Sequence, residues 1–484
     1  MGADQNDLAA TRPNGAFRDW LKLRPDQTDQ LLLRAQQGAK SEITLLTFIL
    51  EAGATQNSER YHAAAIEFLD SANQKCRLAG VTALGRIDVS GSQRQQKLTI
   101  NALSKFASGA GPDQERASAI SALLHAHARN PSVEPERVLA TIEATTIRPS
   151  SAQHYLLAQA LGTHYAKFPN ELKEAIIRAL HSADPAMRGV IDQIDFAFSQ
   201  CLNHDNQRAI ADCLEKLLDH AETPLDIADL DSFVHQLTES HAASLSWLVV
   251  HWLRFGSHRA RLSLPTLFRR FAAKGYELEL PLEQFSFHDE ELCFITRKAL
   301  GYFLIEAATA ASILVACLRA TKGQQAAQTI ADLLFDPLMI NFSGQARDAV
   351  ERASKSGPRQ KHLRAALKAH NAYLDGLRSM PKIAELWPSP AQRQIQAELQ
   401  RKQFSESFKS AEASSVMLQL VTRQTILFGV GSVTYVRDRD GQLRRVESLL
   451  TSHGTSMEFP RFETVDPIKF QHLVLQFRRE AFDS

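Results

Sequence analysis

Cysteine is scarce in this chain: Cys76, Cys201, Cys213, Cys293 and Cys317 are the only five among 484 residues. Their odd number and wide spacing give no CxxC pair and no Cys/His cluster at zinc-ligand spacing, which excludes a disulfide framework and a zinc-ribbon site. They read as buried thiols in a reducing compartment. An excess of either charge is missing too. The 55 Lys and Arg stand against 54 Asp and Glu, a net of +1, so the molecule as a whole is no polyanion binder and any nucleic-acid contact must come from a local patch. Nucleotide and hydrolase motifs are absent. There is no GxxxxGK[ST] loop, no HExxH, no EF-hand loop and no GxSxG elbow, and Gly429-Val-Gly431-Ser-Val-Thr434 lacks the third glycine of a dinucleotide fingerprint. No metal, cofactor or small-molecule ligand is therefore expected. Residues Met1–Ala10 carry Asp4 and Asp7 and lack the apolar core of a secretory signal, so the expected location is the cytoplasm.

What the chain does have is apolar periodicity. With 44% apolar and 23% charged residues the composition is that of a folded chain, and at roughly 150 residues per domain its length predicts about three domains, or fewer in a repeat array. One apolar run, residues 299–318, nearly reaches bilayer-spanning length, but Glu306 in its middle would be expensive in lipid; a buried helix is expected and no membrane contact. Over the first 420 or so residues strand signals are few. Apolar residues recur three and four apart in blocks of about 12 to 17, separated by breakers such as Gly53, Gly91, Gly109-Ala110-Gly111-Pro112, Asn130-Pro131, Arg148-Pro149, Pro169 and Pro185. Helices joined by such short turns lie antiparallel.

The blocks also keep a period. Ala83-Leu84-Gly85, Ala122-Leu123-Leu124 and Ala160-Leu161-Gly162 stand 39 and then 38 residues apart, and Leu103, Ile142 and Leu180 repeat the same two intervals. Arg77 precedes Leu84 by seven residues, as Arg116 precedes Leu123. One helix pair cannot hide its apolar face alone and must stack on the next. On these residues, from Asn73 to Gly85, Asp113 to Ile120, and Asp184-Pro185-Ala186-Met187-Arg188, the chain resembles HEAT and armadillo-type repeats, clearly over 58–220 and less regularly to about 335. Asp195 departs from the pattern, falling where an apolar residue is expected. The resemblance implies a mainly α fold, a right-handed α-solenoid of antiparallel helix pairs, and no particular activity. Small residues at the matching positions are expected where the two helices of a hairpin approach closely.

From Thr223 the period blurs and aromatics become denser, among them Phe233, Trp247, Trp252, Phe255, Phe285, Phe287 and Phe294. Most of these rings are expected in the core, Trp247 and Trp252 on one helical face. After Gly344 the chain turns polar and basic, and a long helix is expected from about Ala391 to Arg423. Only then does a period-2 pattern appear, 425–436 and 443–450 around Asp440-Gly441, predicting a β-hairpin. A short strand near 455–459 and a helix from Pro467 to about Ala481 would complete a small α+β cap. The expected organisation is an N-terminal helical cap (1–57), HEAT-like repeats (58–222), an irregular helical continuation (223–344), a basic helical segment (345–424) and the hairpin with its helix (425–484).

Candidate site residues are few. His125 and His127, two apart, point about 200° apart on a helix and cannot clasp one metal; His154 and His164 lie far apart along one helix, and His235, His241, His251 and His258 are dispersed. Glu412 and His453, with Glu406, Glu458, Arg461 and Glu463 nearby in sequence, form the weak candidate for acid/base chemistry. Charge is polarised: residues 345–484 carry 22 Lys and Arg against 15 Asp and Glu, a net of +7, leaving −6 for the first 344. Arg359, Lys361, Arg364 and Lys368, together with Arg437, Arg439, Arg444 and Arg445 around the hairpin, are candidates for binding nucleic acid or an acidic protein partner. The sequence thus favours a non-catalytic scaffold of a bacterial, cytoplasmic multi-protein system. A nucleic-acid-associated module of a DNA- or RNA-handling or phage-defence complex is the alternative, and a hydrolytic enzyme with its site in the cap the weakest.

Overall fold

The computed structural model describes residues 8–268, 278–381, 388–414, 431–437, 443–449 and 458–482, and the described chain is mainly α-helical. It divides into two compact units, Met1–Leu367 with Phe459–Ser484, and Lys368–Glu458.

The first unit opens with α1 (Leu8–Lys22), α2 (Pro25–Gln36), α3 (Lys40–Ala54), α4 (Ser58–Glu67), α5 (Gln74–Arg86), α6 (Gln93–Ala107), α7 (Asp113–Arg129) and α8 (Pro135–Thr145). It continues with α9 (Ser151–His164), α10 (Asn170–Leu180), α11 (Arg188–Cys201), α12 (Gln207–Leu218), α13 (Asp231–Glu239), α14 (Ala242–Phe255) and α15 (His258–Leu267). Then come α16 (Asp289–Phe303), α17 (Ala307–Ala320), α18 (Gln324–Leu333), α19 (Gln345–Ala353) and the start of α20 (Gln360–Ser379). Local chemistry fixes where many of these begin. Side chains of Asn57, Asn73, Ser92 and Ser257 accept hydrogen bonds from first-turn amides, and Ser150 with Gln153 forms a reciprocal capping box.

Two rows of helices pack in sequence. Along one, α3 lies on α5, α5 on α7, α7 on α9, α9 on α11 and α11 on α13; along the other, α4 lies on α6, α6 on α8, α8 on α10, α10 on α12 and α12 on α15. The core runs between them through Leu84, Leu123, Leu161 and Ile194 on one row and Leu103, Ile142, Leu180 and Leu214 on the other, all buried. Gly85 and Gly162 explain how closely the first row stacks. A β-carbon at Gly85 would meet the Cα of Ala122 at 2.9 Å, and one at Gly162 the Cα of Ala197 at 3.1 Å. The tight approach is therefore between equivalent helices of successive pairs, α5 against α7 and α9 against α11, and not within a hairpin as the sequence pattern suggests.

Polar side chains repeat the interval that the apolar ones announced. His62 bonds Thr99 at 37 residues' separation, Arg77 holds Glu115 at 38, Thr223 donates to Asp184 at 39 and Phe233 to Asp195 at 38. The interval persists beyond Thr223, in Arg254 with Glu291 at 37 and Gln324 with His362 at 38. Asp195 now has its reason. Its buried carboxylate accepts the amides of Ser232 (3.1 Å) and Phe233 (2.7 Å) in the first turn of α13, a job no apolar residue could do. Asp289 serves α18 likewise through the amides of Lys322 (2.9 Å) and Gly323 (2.6 Å), which hold its carboxyl below the ordinary range.

The apolar run 299–318 is not one helix. It breaks after Phe303, so its two parts belong to α16 and α17, and no helix among the described residues is long and apolar enough to cross a membrane. Residues 459–482 return to this unit. Their helix, Pro467–Arg479, packs on α16, with Phe470 and Phe477 buried. Lys298, with no solvent exposure, donates from Nζ to the carbonyls of Phe477 (2.9 Å) and Arg478 (2.8 Å) and also to that of Glu480, completing the end of that helix. Arg297 grips the Glu480 carboxylate with Nε 2.8 Å from each oxygen, Phe482 meets Phe294 edge to face, and Phe462 donates its amide to Asn341.

In the second unit, described by itself, α21 (Pro390–Ser414) starts where the long helix is expected; residues 415–423 of that expectation lie outside the described residues. Strand β1 (Gly431–Arg437) pairs antiparallel with β2 (Leu443–Leu449), Thr434 opposite Val446. Asp440-Gly441, and residues 455–457 of the expected third strand, lie outside the described residues.

Candidate interaction surfaces

The basic candidates separate once their surroundings are seen. Arg359 stands just before α20 with a left-handed backbone (φ 64°), and its Nη2 donates to the carbonyls of Thr321 (2.8 Å) and Lys322 (2.9 Å) at the end of α17. It ties one helix pair to the previous one and is largely spent on that task. The same use of arginine recurs. Arg129 donates to the carbonyls of Gly85 and Arg86, Arg261 to Trp252 (3.0 Å), Arg259 to His220 (2.9 Å), and Arg319 to Ala353 (2.9 Å) and Ser356 (2.8 Å). Gly357 (φ 86°) gives that last guanidinium room, since a β-carbon there would approach it to 3.1 Å.

Lys361, Arg364 and Lys368 differ from Arg359. They are exposed on α20 at spacings of three and four, while His362, Leu363 and Ala366 of the same helix are buried. Arg364 donates to Gln360 at 3.2 Å within its own helix. Elsewhere in this basic stretch Arg347 pairs with Glu351 (3.7 Å) and Arg378 with Asp375 (3.1 Å). Of the hairpin candidates, Arg437 ends β1 opposite Leu443, while Arg444 stands opposite Val436 and Arg445 opposite Tyr435; Arg439 lies outside the described residues. Glu412 falls within α21, and His453 lies outside the described residues.

The histidines are arranged in a way their spacing conceals. His125 on α7 and His164 on α9 meet, ring nitrogen to ring nitrogen, at 2.6 Å across successive helix pairs. One nitrogen donates and the other accepts the single hydrogen between them. Burial pushes His125 down to about 4, with His164, Arg129 and Arg86 adding to the effect, and burial lowers His164 as well. Their separation of 39 residues is the apolar period itself, the signal that would have found them. Burial also lowers His62, His127, His154 and His181. No group of three or more His, Cys, Asp or Glu side chains suited to a metal ion occurs among the described residues. The described cysteines are buried, and burial raises Cys201 and Cys317 to about 12, far from a reactive thiolate.

A cavity of about 620 Å³ lies beside α17 and α19, lined by Ala311, Val315, Ala316 and Ala349 with Glu279 and Arg352. The Ser312 hydroxyl in its wall is engaged, donating to the Thr309 carbonyl (2.8 Å) and accepting the Leu278 amide (3.2 Å). No known protein-family model matches the chain, and no curated protein matches it.

Proposed function

We propose that this chain is a non-catalytic interaction scaffold of a cytoplasmic multi-protein system, built as a right-handed α-solenoid of HEAT-like helix pairs with a hairpin-bearing basic module. The observation that carries the reading is the set of side-chain bonds at 37 to 39 residues that recurs between successive helices of a row at several steps from His62 to His362. Stacked pairs of this kind offer long side-chain surfaces in place of a single pocket. The expected result is capture of a stoichiometric partner from nuclease-treated lysate by the full chain; its absence counts against the scaffold.

A second reading is favoured by one observation. Lys361, Arg364 and Lys368 expose three cations along about 10 Å of one helix, a spacing that suits successive phosphates. As a nucleic-acid module the chain should bind duplex DNA or RNA with steep salt dependence and lose that binding in Lys361→Glu/Arg364→Glu/Lys368→Glu. Arg359 is left out of that test because its loss would disturb the fold.

A further inference from the structure

Five aromatic side chains of the first unit close a ring of contacts. Trp247, His251 and Phe255 follow one another at four-residue spacing on α14 and therefore share one side of the helix. Phe285 and Phe287 come from the segment leading into α16. Ring centroids are 4.6 Å apart for Trp247 and His251, 5.4 Å for His251 and Phe255, and 6.3 Å for Phe255 and Phe287. Phe287 and Phe285 follow at 5.0 Å, and Phe285 and Trp247 complete the circuit at 5.8 Å. The Trp247–His251 and Phe285–Phe287 pairs are nearly parallel, at 10° and 11°. Trp247 and His251 are buried, Phe285 and Phe287 half-buried, and Phe255 is 51% exposed. Rigid rings on a buried base, with their outer members in water, are the material of interface hot spots.

The surrounding charge narrows the partner. The Asp212 carboxylate, half exposed, stands 3.9 Å from His251 Nε2, and that contact holds it below the usual carboxylate range, so it remains anionic. Glu283 and Glu290, both exposed, flank Phe285 and Phe287 in the chain, and the first 344 residues carry the net charge of −6. Asp212 thus sets an anion beside the rings, the charge that complements a cationic partner. On one of these rings the molecule itself displays the matching chemistry: the Arg254 guanidinium, bonded to Glu291 at 2.8 Å, lies 4.8 Å from the centroid of Phe255 and 3.9 Å from that of Phe482. A planar cation stacks on a phenyl face better than an ammonium does, because the guanidinium is flat and weakly hydrated.

We propose that the shelf formed by Phe255, Phe285 and Phe287 docks an arginine-bearing segment of a partner protein, the guanidinium stacking on the rings and its charge met by Asp212, Glu283 and Glu290. This rests on the scaffold reading and names its partner's chemistry. Calorimetric titration of the full chain with a synthetic peptide of alternating glycine and arginine tests it, beside lysine and glutamate counterparts and a thymidine oligonucleotide. The arginine peptide should bind, the lysine peptide several-fold more weakly, and the other two not at all. Phe255→Ala and Phe287→Ala should each weaken the arginine peptide about tenfold with unchanged melting temperature, Phe255→Tyr should restore it, and Asp212→Asn should cost about threefold. Undiminished affinity in both alanine variants, equal affinity for the glutamate peptide or the oligonucleotide, or no binding of the arginine peptide would each overturn the shelf. Self-association abolished by Phe255→Ala would also overturn it, by making a second copy the occupant. A lysate partner captured equally by wild type and the alanine variants refutes the shelf alone, whereas capture by neither refutes the scaffold.

Discussion

The same substitution, glycine to alanine within a helix, should have opposite signs at Gly85 and Gly189. Both changes add helix propensity, about 0.5–1 kcal/mol in favour of folding. At Gly189, in the first turn of α11, nothing lies within 4 Å of the added carbon, so Gly189→Ala should be stabilising by that amount. At Gly85 the new carbon would stand 2.8 Å from Ala122 Cβ and 2.9 Å from Ala122 Cα, where carbon atoms prefer roughly 3.5–4.0 Å. Because one of those atoms is backbone, no rotamer change relieves the overlap, and α7 must move away from α5. Overpacking of this kind costs about 1–3 kcal/mol. After the propensity gain, Gly85→Ala should lose roughly 1–2 kcal/mol. Ala122→Gly removes the Cβ overlap but leaves the Cα one, so the double substitution should be more stable than the sum of its parts by only part of that loss, about 0.5–1 kcal/mol, a coupling measurable by urea unfolding. Hydrogen exchange should report the loss first in α5 and α7. If Gly85→Ala were as stabilising as Gly189→Ala, or the cycle were additive, the close stacking of equivalent helices would be wrong.

Acid should weaken the fold through its neutral histidines. His125 sits at about 4 in the folded chain against roughly 6.5 unfolded, so its contribution is complete above pH 6.5 and is lost as pH falls towards 4, up to roughly 3 kcal/mol. Melting temperature should therefore drop across that window, and His125→Gln should flatten the drop; a profile that rises towards acid would refute the assignment. Lys298→Met removes three donors from the end of helix Pro467–Arg479 and should cost about 3 kcal/mol, seen as early proteolytic release of residues 459–482. Arg359→Ala should lower the melting temperature by several degrees while Lys361→Ala leaves it unchanged, since only the former holds carbonyls of another helix pair. Equal melting of the two variants would remove the distinction drawn between them.

The helices and their period were legible because apolar spacing is a local property, and Leu84, Leu123 and Leu161 carry it openly. The polar ladder was legible in principle, since His125 and His164 or Arg77 and Glu115 stand one period apart, but a residue type does not say which side of a helix it occupies or what it meets there. Arg359 read as a free cation for this reason; its role depends on a left-handed backbone and on carbonyls 38 residues earlier. Ring density after Thr223 favours burial for most of the aromatics but does not say which one stays in water, and Phe255 is the one half exposed among Trp247, Trp252 and Phe255 of its helix. The contact of Lys298 with Phe477 and Arg478 spans about 180 residues and obeys no repeat, so no pattern in the sequence announces it.

Because residues 459–482 belong to the first unit, Lys368–Glu458 is an insertion held at both of its ends. During synthesis the seat on α16 must wait, wet and unfilled, until the whole intervening stretch has emerged, so a stalled or prematurely terminated product would expose Phe294 and the Lys298 ammonium that the finished protein hides. Quality-control proteases could tell the two apart by that seat alone.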